Sequence, residues 1–220
     1  MEPTSRKYLF FDLDGTLTDS MPGIARAVQY ALRRFGIDVQ DLAALKPFLG
    51  PPLRDSFMEF YGMSPEEADR AVAVSREYFV PRGMFENELY PGIPELLAAT
   101  AAAGRVNVIA TSKPQPFAER IAAYFGIDRH FRLISGSTFD GRRKTKADVI
   151  RHALSALGIA PDEAVMIGDR RHDVEGASEE GLPAIAVEWG YAPPGELEAA
   201  RPLRIVPDVE TLRRLLLGNE

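Results

Sequence analysis

The chain has 220 residues, which is enough for one substantial core or for a core domain with a small insert. Its hydrophobic fraction of 45% and charged fraction of 26% are ordinary for a globular protein. A net charge of −6 supplies no basic surface, so we expect neither a nucleic acid polymer nor a membrane as a partner. The sequence contains no cysteine, which excludes disulfides, thiolate catalysis and cysteine-based metal sites.

The first residues, MEPTSRKYLFF, lead straight into a predicted strand and lack the long apolar core of a signal peptide. No apolar run approaches the length that spans a bilayer. We therefore expect a cytoplasmic protein.

Hydrophobic periodicity predicts two kinds of region along the chain. After a strand that ends before Asp12, only helices are predicted up to residue 90, at 22–35, 53–61 and 64–79. From residue 90 short apolar runs alternate with helices, which is typical of a parallel sheet with crossover helices. The predicted strands are 106–111, 131–135, 165–168, 184–188 and 203–206, and the predicted helices are 93–103, 117–125, 147–157, 174–180 and 209–217.

Two aspartates, Asp12 and Asp14, end the first strand ahead of a turn at Gly15. Residues i and i+2 of a strand face one side, so both carboxylates start near the end of a buried strand where open α/β sheets bind ligands. A hard cation such as Mg²⁺ would relieve their repulsion and pair readily with phosphate. One carboxylate would then attack phosphorus while the other handles protons.

Two other interpretations apply to these residues. A calcium-binding EF-hand loop counted from Asp12 fails, because its sixth and twelfth positions hold Leu17 and Gly23 instead of glycine and glutamate. A plain Asp-Gly turn with solvated acids stays open on these residues alone.

The strand 106–111 ends in Thr111-Ser112-Lys113. The hydroxyl of Thr111 and the backbone N–H groups from Ser112 onward are suited to hold phosphate oxygens. A helix cap is the better explanation of Thr111 and Ser112 when they are considered in isolation.

The loop before helix 147–157 places Asp148 three residues after Thr145, which is a capping pattern. This pattern puts Lys146 at the first helical position, near the positive end of the dipole, where it would meet an anion together with backbone donors. Lys144 competes for that role, and a solvated basic loop is the alternative to both.

Asp169 follows the strand 165–168, and Asp173 comes four residues later. Residues four apart share one face of a helix, so Asp169 would ligate a metal ion and Asp173 would orient a metal-bound water or a neighbouring ligand. Four such clusters at the ends of successive strands favour one shared site over four coincidences.

The order of these clusters resembles the haloacid dehalogenase superfamily, and within it the phosphoglycolate phosphatase-like hydrolases that carry a helical cap. The resemblance covers essentially the whole chain. It implies an α/β fold with a Rossmann-like parallel sheet core in residues 1–16 and 89–220, and a helical cap domain inserted after the first strand in residues 17–88. The positions that match the four motifs are residues 12–16, Thr111, Lys146 and residues 168–173.

The resemblance also implies a role for each matching position. Asp12 is the implied nucleophile that forms an aspartyl-phosphate, and Asp14 is the implied acid that protonates the leaving oxygen and then activates water. Thr111 and Lys146 are implied to hold the phosphate, and Mg²⁺ is the implied cofactor. The implied metal ligands are the Asp12 carboxylate, the Asp14 backbone carbonyl and Asp169, with Asp173 in support.

Within residues 17–88, the resemblance implies a mobile cap that closes over the site and excludes water. Arg54 and Lys46 are candidates for contact with a second anionic group of the substrate, although a purely solvating role explains them at least as well. The loop before Lys146 departs from the commoner Lys-Pro form of the third motif and looks more like a subgroup often labelled 5′-nucleotidase.

The expected function is Mg²⁺-dependent hydrolysis of a small phosphorylated metabolite, in a monomer or homodimer, as in phosphoglycolate phosphatase-like or 5′-nucleotidase-like enzymes. A β-phosphoglucomutase-like phosphotransferase is one alternative, although its fourth motif tends to carry Glu-Asp where this chain has Gly168 and Asp169. A non-catalytic binding module is another, and the intact acids argue against it. A haloacid dehalogenase proper lacks the second aspartate, so Asp14 argues against that activity.

Overall fold

The structure is a computed structural model that describes residues 6–218, and it divides into two compact units. One unit contains the residues up to Thr18 and those from Leu89 onward, and the other is Asp19–Glu88. The predicted domain ranges 1–16, 17–88 and 89–220 include residues 1–5 and 219–220, which lie outside the described part of the chain.

The first unit is built on a six-stranded sheet with the strands β1 Tyr8–Phe11, β4 Val106–Pro114, β5 Phe131–Ser137, β6 Ala164–Gly168, β7 Ala184–Val187 and β8 Arg204–Val206. Their order in the sheet is β5-β4-β1-β6-β7-β8, and every neighbouring pair is parallel. Strands β6 and β7 are short apolar runs that are buried along their whole length, as expected when helices cover both faces of a parallel sheet. The predicted α/β fold with a parallel sheet is confirmed.

Helices follow the strands of this sheet as crossover connections. Part of the core lies where the helix at 146–157 packs against the sheet: Val149 and Ile150 contact a cluster that includes Phe10 of β1 and Met166 of β6. The helices of the unit are α4 Ile93–Ala102, α5 Gln115–Tyr124, α6 Lys146–Leu157, α7 Arg171–Glu179, α8 Glu196–Ala200 and α9 Val209–Leu217.

The second unit is mainly helical and has its own apolar core, in which Val28, Leu45, Phe48 and Phe57 are buried. Its third helix begins with a complete capping box, because Ser64 accepts from the Glu67 N–H and Glu67 accepts from the Ser64 N–H. The helices are α1 Met21–Arg34, α2 Leu53–Tyr61 and α3 Pro65–Phe79, with 3₁₀ turns at Leu42–Phe48 and Gly83–Phe85.

Two strand features differ from the sequence-based expectations; in addition, helix α8 is not predicted, and α7 begins at Arg171, three residues before its predicted start. No strand is predicted between residues 20 and 90, but Glu88–Leu89 forms a strand, β3, which pairs with β2 at Thr18–Asp19. Two-residue strands are too short to produce a hydrophobic alternation. The second difference is that β4 continues to Pro114, three residues beyond the predicted end at Thr111. No helix in the described residues is long and apolar enough to cross a membrane.

Candidate active site

The candidate site lies at the carboxyl ends of three neighbouring strands. Phe11, the last residue of β1, stands opposite Ile109 of β4 and Ile167 of β6, so β1 and β6 end nearly in line while β4 continues to Pro114. Asp12 therefore emerges from the sheet beside Asp169, although the two residues are far apart in the chain. Ligands bind at this edge in open parallel sheets.

Three carboxylates converge at that edge. Asp12, Asp169 and Asp173 are all buried, and each offers an oxygen within 4.8 Å of the others. Asp173 reaches the cluster from the first turn of α7, where its Oδ2 accepts the Arg170 N–H at 3.0 Å. The structure thus brings together three of the four aspartates predicted to surround a metal ion. The side chain of the fourth, Asp14, is bound elsewhere.

Lys146 is the cation in contact with these acids. Its Nζ lies 3.0 Å from Asp12 Oδ1 and 2.7 Å from Asp173 Oδ1, and it donates to the Ala110 carbonyl at 3.1 Å. The capping box between Thr145 and Asp148 starts α6 at Lys146, as the sequence pattern predicts.

The neighbouring Lys144 side chain is exposed, so the geometry places Lys146 and not Lys144 beside the carboxylates.

The electrostatics of the cluster show an excess of negative charge. Burial raises the pKa of Asp169, and the charges of Asp173 and Asp12 raise it further. Burial likewise raises the pKa of Asp173, against the opposing effect of Lys146. Burial alone would lower the pKa of Lys146, but the two carboxylates that contact it raise that pKa above its ordinary value. One lysine therefore does not compensate three buried carboxylates.

This donor set fits a hard divalent cation. Carboxylate oxygens are the ligands that Mg²⁺ prefers in proteins, and a cation at the cluster would offset the repulsion that raises the aspartate pKa values. The three acids come from positions directly after β1, directly after β6 and in the first turn of α7. The residues present are consequently consistent with a Mg²⁺ site.

Glycines line the cluster where any side chain would collide with it. A Cβ at Gly15 would lie 2.2 Å from Asp169 Oδ2, and a Cβ at Gly168 would lie 2.2 Å from Asp173 Cγ. Both contacts are far inside van der Waals distance. The carboxylates therefore occupy space that exists only because these positions lack a side chain.

The Asp14 side chain forms an ion pair with a different lysine, Lys113. Lys113 Nζ lies 2.6 Å from Asp14 Oδ2, and the lysine side chain is only 5% exposed. The two aspartates of the first motif are thus held by different cations, Asp12 by Lys146 and Asp14 by Lys113. Sequence reasoning assigns Lys113 no role.

The predicted phosphate-holding residues follow the end of β4. Thr111 is buried, and its Oγ1 accepts the Lys113 N–H at 3.2 Å. Ser112 is half-buried. The alternative that these hydroxyls cap a helix is wrong, because α5 begins at Gln115 after Pro114 and has no side-chain cap. Contact of Thr111 and Ser112 with phosphate stays a prediction.

Residues 189–191, which follow β7, help to hold Asp169 in place. The Tyr191 N–H donates to Asp169 Oδ2 at 2.8 Å, and Thr16 Oγ1 donates to Asp169 Oδ1 at 3.3 Å. Trp189 Nε1 in turn donates to the Thr16 carbonyl at 3.1 Å. Sequence reasoning did not identify this segment, because two of the three bonds use backbone groups that carry no residue-type signal.

The two residues of the helical unit that are predicted to contact substrate are Arg54 and Lys46, and their observed surroundings do not test that prediction. Arg54 Nε pairs with Asp69 Oδ1 at 2.7 Å, and both side chains are largely exposed. Lys46 is exposed in the 3₁₀ turn Leu42–Phe48. The substrate-binding roles of Arg54 and Lys46 stay predictions.

Comparison with known proteins identifies the relatives of the chain. A family model described as haloacid dehalogenase-like hydrolase matches residues 9–187. A 5′-nucleotidase of Pseudomonas aeruginosa is 48% identical over 94% of this chain and 94% of its own length. The tyrosine-protein kinase PtkA of Mycobacterium tuberculosis is 41% identical over 85% of this chain and 64% of its own length.

A solved structure supports the same relationship. The crystal structure of a predicted phosphatase from Clostridium acetobutylicum superposes with a TM-score of 0.93 at 46% identity, covering 97% of this chain and 99% of that one. The four-motif resemblance is confirmed by this similarity in fold and sequence. The chain belongs to the haloacid dehalogenase-like hydrolase family.

Proposed function

We propose that the protein is a Mg²⁺-dependent phosphatase that hydrolyses a small phosphorylated metabolite through an aspartyl-phosphate on Asp12. One observation carries the proposal most directly: Asp12 lies among buried carboxylates and contacts Lys146, whereas Asp14 is held apart by Lys113. The position of Asp12, among carboxylates and beside Lys146, suits a nucleophile next to a cation site. The pairing with Lys113 leaves Asp14 available for proton transfer.

In the first step Asp12 attacks phosphorus and forms a new P–O bond, while the bond from phosphorus to the leaving oxygen breaks. The leaving oxygen takes a proton from the Asp14 carboxyl group and departs as an alcohol. Lys146 balances the charge on Asp12 and on the phosphoryl oxygens near it. Thr111 and Ser112 would hold those oxygens.

In the second step a water molecule attacks phosphorus and the bond to Asp12 breaks, which restores the Asp12 carboxylate. Asp14, now ionised, accepts the proton that the water loses, and inorganic phosphate leaves. Both protons therefore pass through Asp14. Bound at Asp12, Asp169, Asp173 and the Asp14 backbone carbonyl, Mg²⁺ would supply charge stabilisation for the phosphoryl group.

For the substrate class we propose a nucleoside monophosphate in preference to phosphoglycolate. Support comes from the loop before Lys146, which lacks the commoner Lys-Pro form, and from the 48% identity to a protein named 5′-nucleotidase. The β-phosphoglucomutase alternative is disfavoured by Gly168 at the position before Asp169. The intact acids disfavour a non-catalytic binding module. A cytoplasmic location and a monomeric or homodimeric state stay predictions.

The test is a phosphate-release assay over nucleoside monophosphates, phosphoglycolate, sugar phosphates and pyrophosphate, with Mg²⁺ or with EDTA. We expect Mg²⁺-dependent release from at least one monophosphate ester. Asp12→Asn should lower kcat by about 10⁴-fold or more, as removal of a nucleophile does. Asp162→Asn, at an exposed aspartate in the turn Pro161–Glu163, is the matched control and should retain wild-type activity.

Two results would reject the proposal. Absence of release from every ester in the presence of Mg²⁺ would reject the phosphatase, and full activity of Asp12→Asn would reject the nucleophile. Interconversion of hexose phosphates without net release of phosphate would support the mutase instead. Faster turnover of phosphoglycolate than of every nucleotide would overturn the proposed substrate class.

A further inference from the structure

The backbone at the end of β4 explains why Lys113 points into the site. The strand continues past Thr111 to Pro114, and a residue that precedes proline is restricted to extended conformations. The pairing of β4 with β5 shifts register between Thr111 and Pro114, and within this irregular stretch the side chains of both Thr111 and Lys113 are buried. On the neighbouring strand β5, a Cβ at Gly136 would lie 2.7 Å from the Lys113 carbonyl, so β5 confines this backbone closely.

Burial then requires a partner for the lysine charge. A buried ammonium group is costly unless it is paired, and Asp14 Oδ2 at 2.6 Å provides the pair. The other oxygen, Asp14 Oδ1, is buried and has no hydrogen-bond partner among the described residues. The two oxygens of one carboxylate are therefore chemically distinct.

We propose that Lys113 is a positioning residue that holds Asp14 by Oδ2, so that Oδ1 is the atom that gives and takes the catalytic proton. The inference rests on the proposed function, because it assigns an atom to the proton transfer in that mechanism. Lys113 can donate to Oδ2 whether Asp14 is ionised or protonated, since the carbonyl oxygen of a carboxylic acid also accepts a hydrogen bond. The proton of the acid form then resides on Oδ1.

Leaving-group dependence tests this role. The value of kcat/KM reports the formation of the aspartyl-phosphate, which requires a proton for an alkoxide leaving group but not for para-nitrophenolate. We expect Lys113→Met to lower kcat/KM by about 10- to 100-fold for uridine monophosphate, and by less than about threefold for para-nitrophenyl phosphate. Asp14→Asn should show the same selectivity with a larger loss. Lys7→Met, at an exposed lysine, should match wild type.

A double-mutant cycle separates positioning from direct contact with substrate. If Lys113 acts through Asp14, the variant that carries both Lys113→Met and Asp14→Asn should be no slower with uridine monophosphate than Asp14→Asn alone. Lys113→Gln, which is neutral but still a donor, should recover part of the rate, and it replaces Lys113→Met if the latter does not fold. Equal losses with both substrates, or additive losses in the double variant, would overturn the proposal.

Crystal structures of wild type and of the Lys113 variant give a readout independent of turnover. We expect Asp14 to leave its wild-type position, or to occupy several conformers, when Lys113 is replaced. An unchanged Asp14 side chain would overturn the positioning role. If the wild-type protein hydrolyses no ester of the whole panel, the proposed phosphatase fails, while the position of Asp14 still decides whether Lys113 holds it.

Discussion

At the scale of single residues, the carboxylate cluster depends on positions that carry no side chain. Gly15 has a φ of 81°, in the left-handed region, and a Cβ there would also lie 2.6 Å from Asp169 Cγ. Asp169 cannot simply rotate away, because it is fully buried and hydrogen-bonded to Tyr191 and Thr16. Alanine at this position must therefore displace the acid.

The first prediction compares Gly15→Ala with Gly104→Ala. Both glycines have left-handed φ values, 81° and 77°, so each substitution carries a backbone cost of about 1 to 2 kcal/mol. A Cβ at Gly104 meets nothing within 4 Å. We expect Gly15→Ala to lower kcat/KM by about 100-fold, since displacement of a site residue by about 1 Å has that effect. Gly104→Ala should lose stability only.

Steady-state kinetics and urea unfolding of the two variants provide the measurement. Similar kinetics for both would mean that the site tolerates movement of Asp169, which would contradict the steric argument. A large kinetic loss for Gly104→Ala would show that backbone strain alone accounts for the effect.

At the scale of secondary structure elements, the sequence predicts the elements better than their connections. Helix α2 and helix α9 begin and end where the hydrophobic pattern predicts, because each buries one apolar face. The predicted end of β4 falls at Thr111 because the residues that follow are polar or proline. The restriction that Pro114 imposes on Lys113 is the available signal for a longer strand.

The candidate site is predictable to the extent that its residues are acidic or basic and follow strands. Asp12, Asp169 and Lys146 are found in this way, and the capping box favours Lys146, which contacts Asp12 and Asp173. The Tyr191 N–H that binds Asp169 is not predictable, because a backbone donor has no residue-type signature and lies 22 residues away. The pairing of Asp14 with Lys113 depends on side-chain direction, which periodicity does not specify.

The start of α6 yields a prediction that connects stability to activity. Asp148 accepts the backbone N–H groups of Thr145 and Lys144, and this capping fixes the first turn that carries Lys146. Asp148→Ala should cost about 1 kcal/mol of unfolding free energy, as other capping losses do. It should also lower kcat/KM by about tenfold through displacement of Lys146.

The matched variant is Glu67→Ala, which removes the equivalent acid from the capping box of α3 in the helical unit. This substitution should lower the free energy of unfolding and leave kcat/KM close to the wild-type value. Urea unfolding and steady-state kinetics on both variants make the comparison. Equal kinetic effects would show that the loss arises from general destabilisation and not from Lys146.

The same carboxylate predicts a pH dependence. Backbone hydrogen bonds from Thr145 and Lys144 lower the pKa of Asp148 from 3.8 to about 2. A lowered native pKa contributes stability that is present above 3.8 and is lost as pH falls towards 2. The difference in unfolding free energy between wild type and Asp148→Ala should therefore be constant near neutrality and shrink between about pH 4 and about pH 2. A difference that is independent of pH would contradict the assigned cause.

At the scale of the whole molecule, the buried acids that the proposed function requires lower the stability of the folded chain at neutral pH. The raised pKa values of Asp169 and Asp173 mean that ionisation of these groups costs more free energy in the metal-free folded protein than in the unfolded chain. Their contribution to stability is present below the ordinary aspartate pKa of 3.8 and is lost as pH rises through the raised native values. At neutral pH the folded chain thus holds destabilising charge that a bound cation would offset.

Replacement of one acid should therefore have opposite effects with and without the cation. In Asp169→Asn the side-chain amide oxygen can still accept the Tyr191 N–H, while one buried charge is removed. In EDTA at neutral pH this variant should exceed wild type in unfolding free energy, because it lacks the buried charge whose cost raises the pKa of Asp169. For wild type, Mg²⁺ at about one hundred times its Kd adds about 2.7 kcal/mol. In a chain of this size that is a rise in Tm of about 5 to 10 °C.

Calorimetry with and without Mg²⁺ measures both effects. The rise in Tm should appear for wild type and for the control Asp162→Asn but not for Asp169→Asn, so the order of stability should reverse when Mg²⁺ is added. A Mg²⁺ shift that survives Asp169→Asn would place the ion elsewhere. A variant less stable than wild type in EDTA would mean that the altered hydrogen bonds outweigh the relieved repulsion, because the loss of one buried charge is the only stabilising change that the substitution makes.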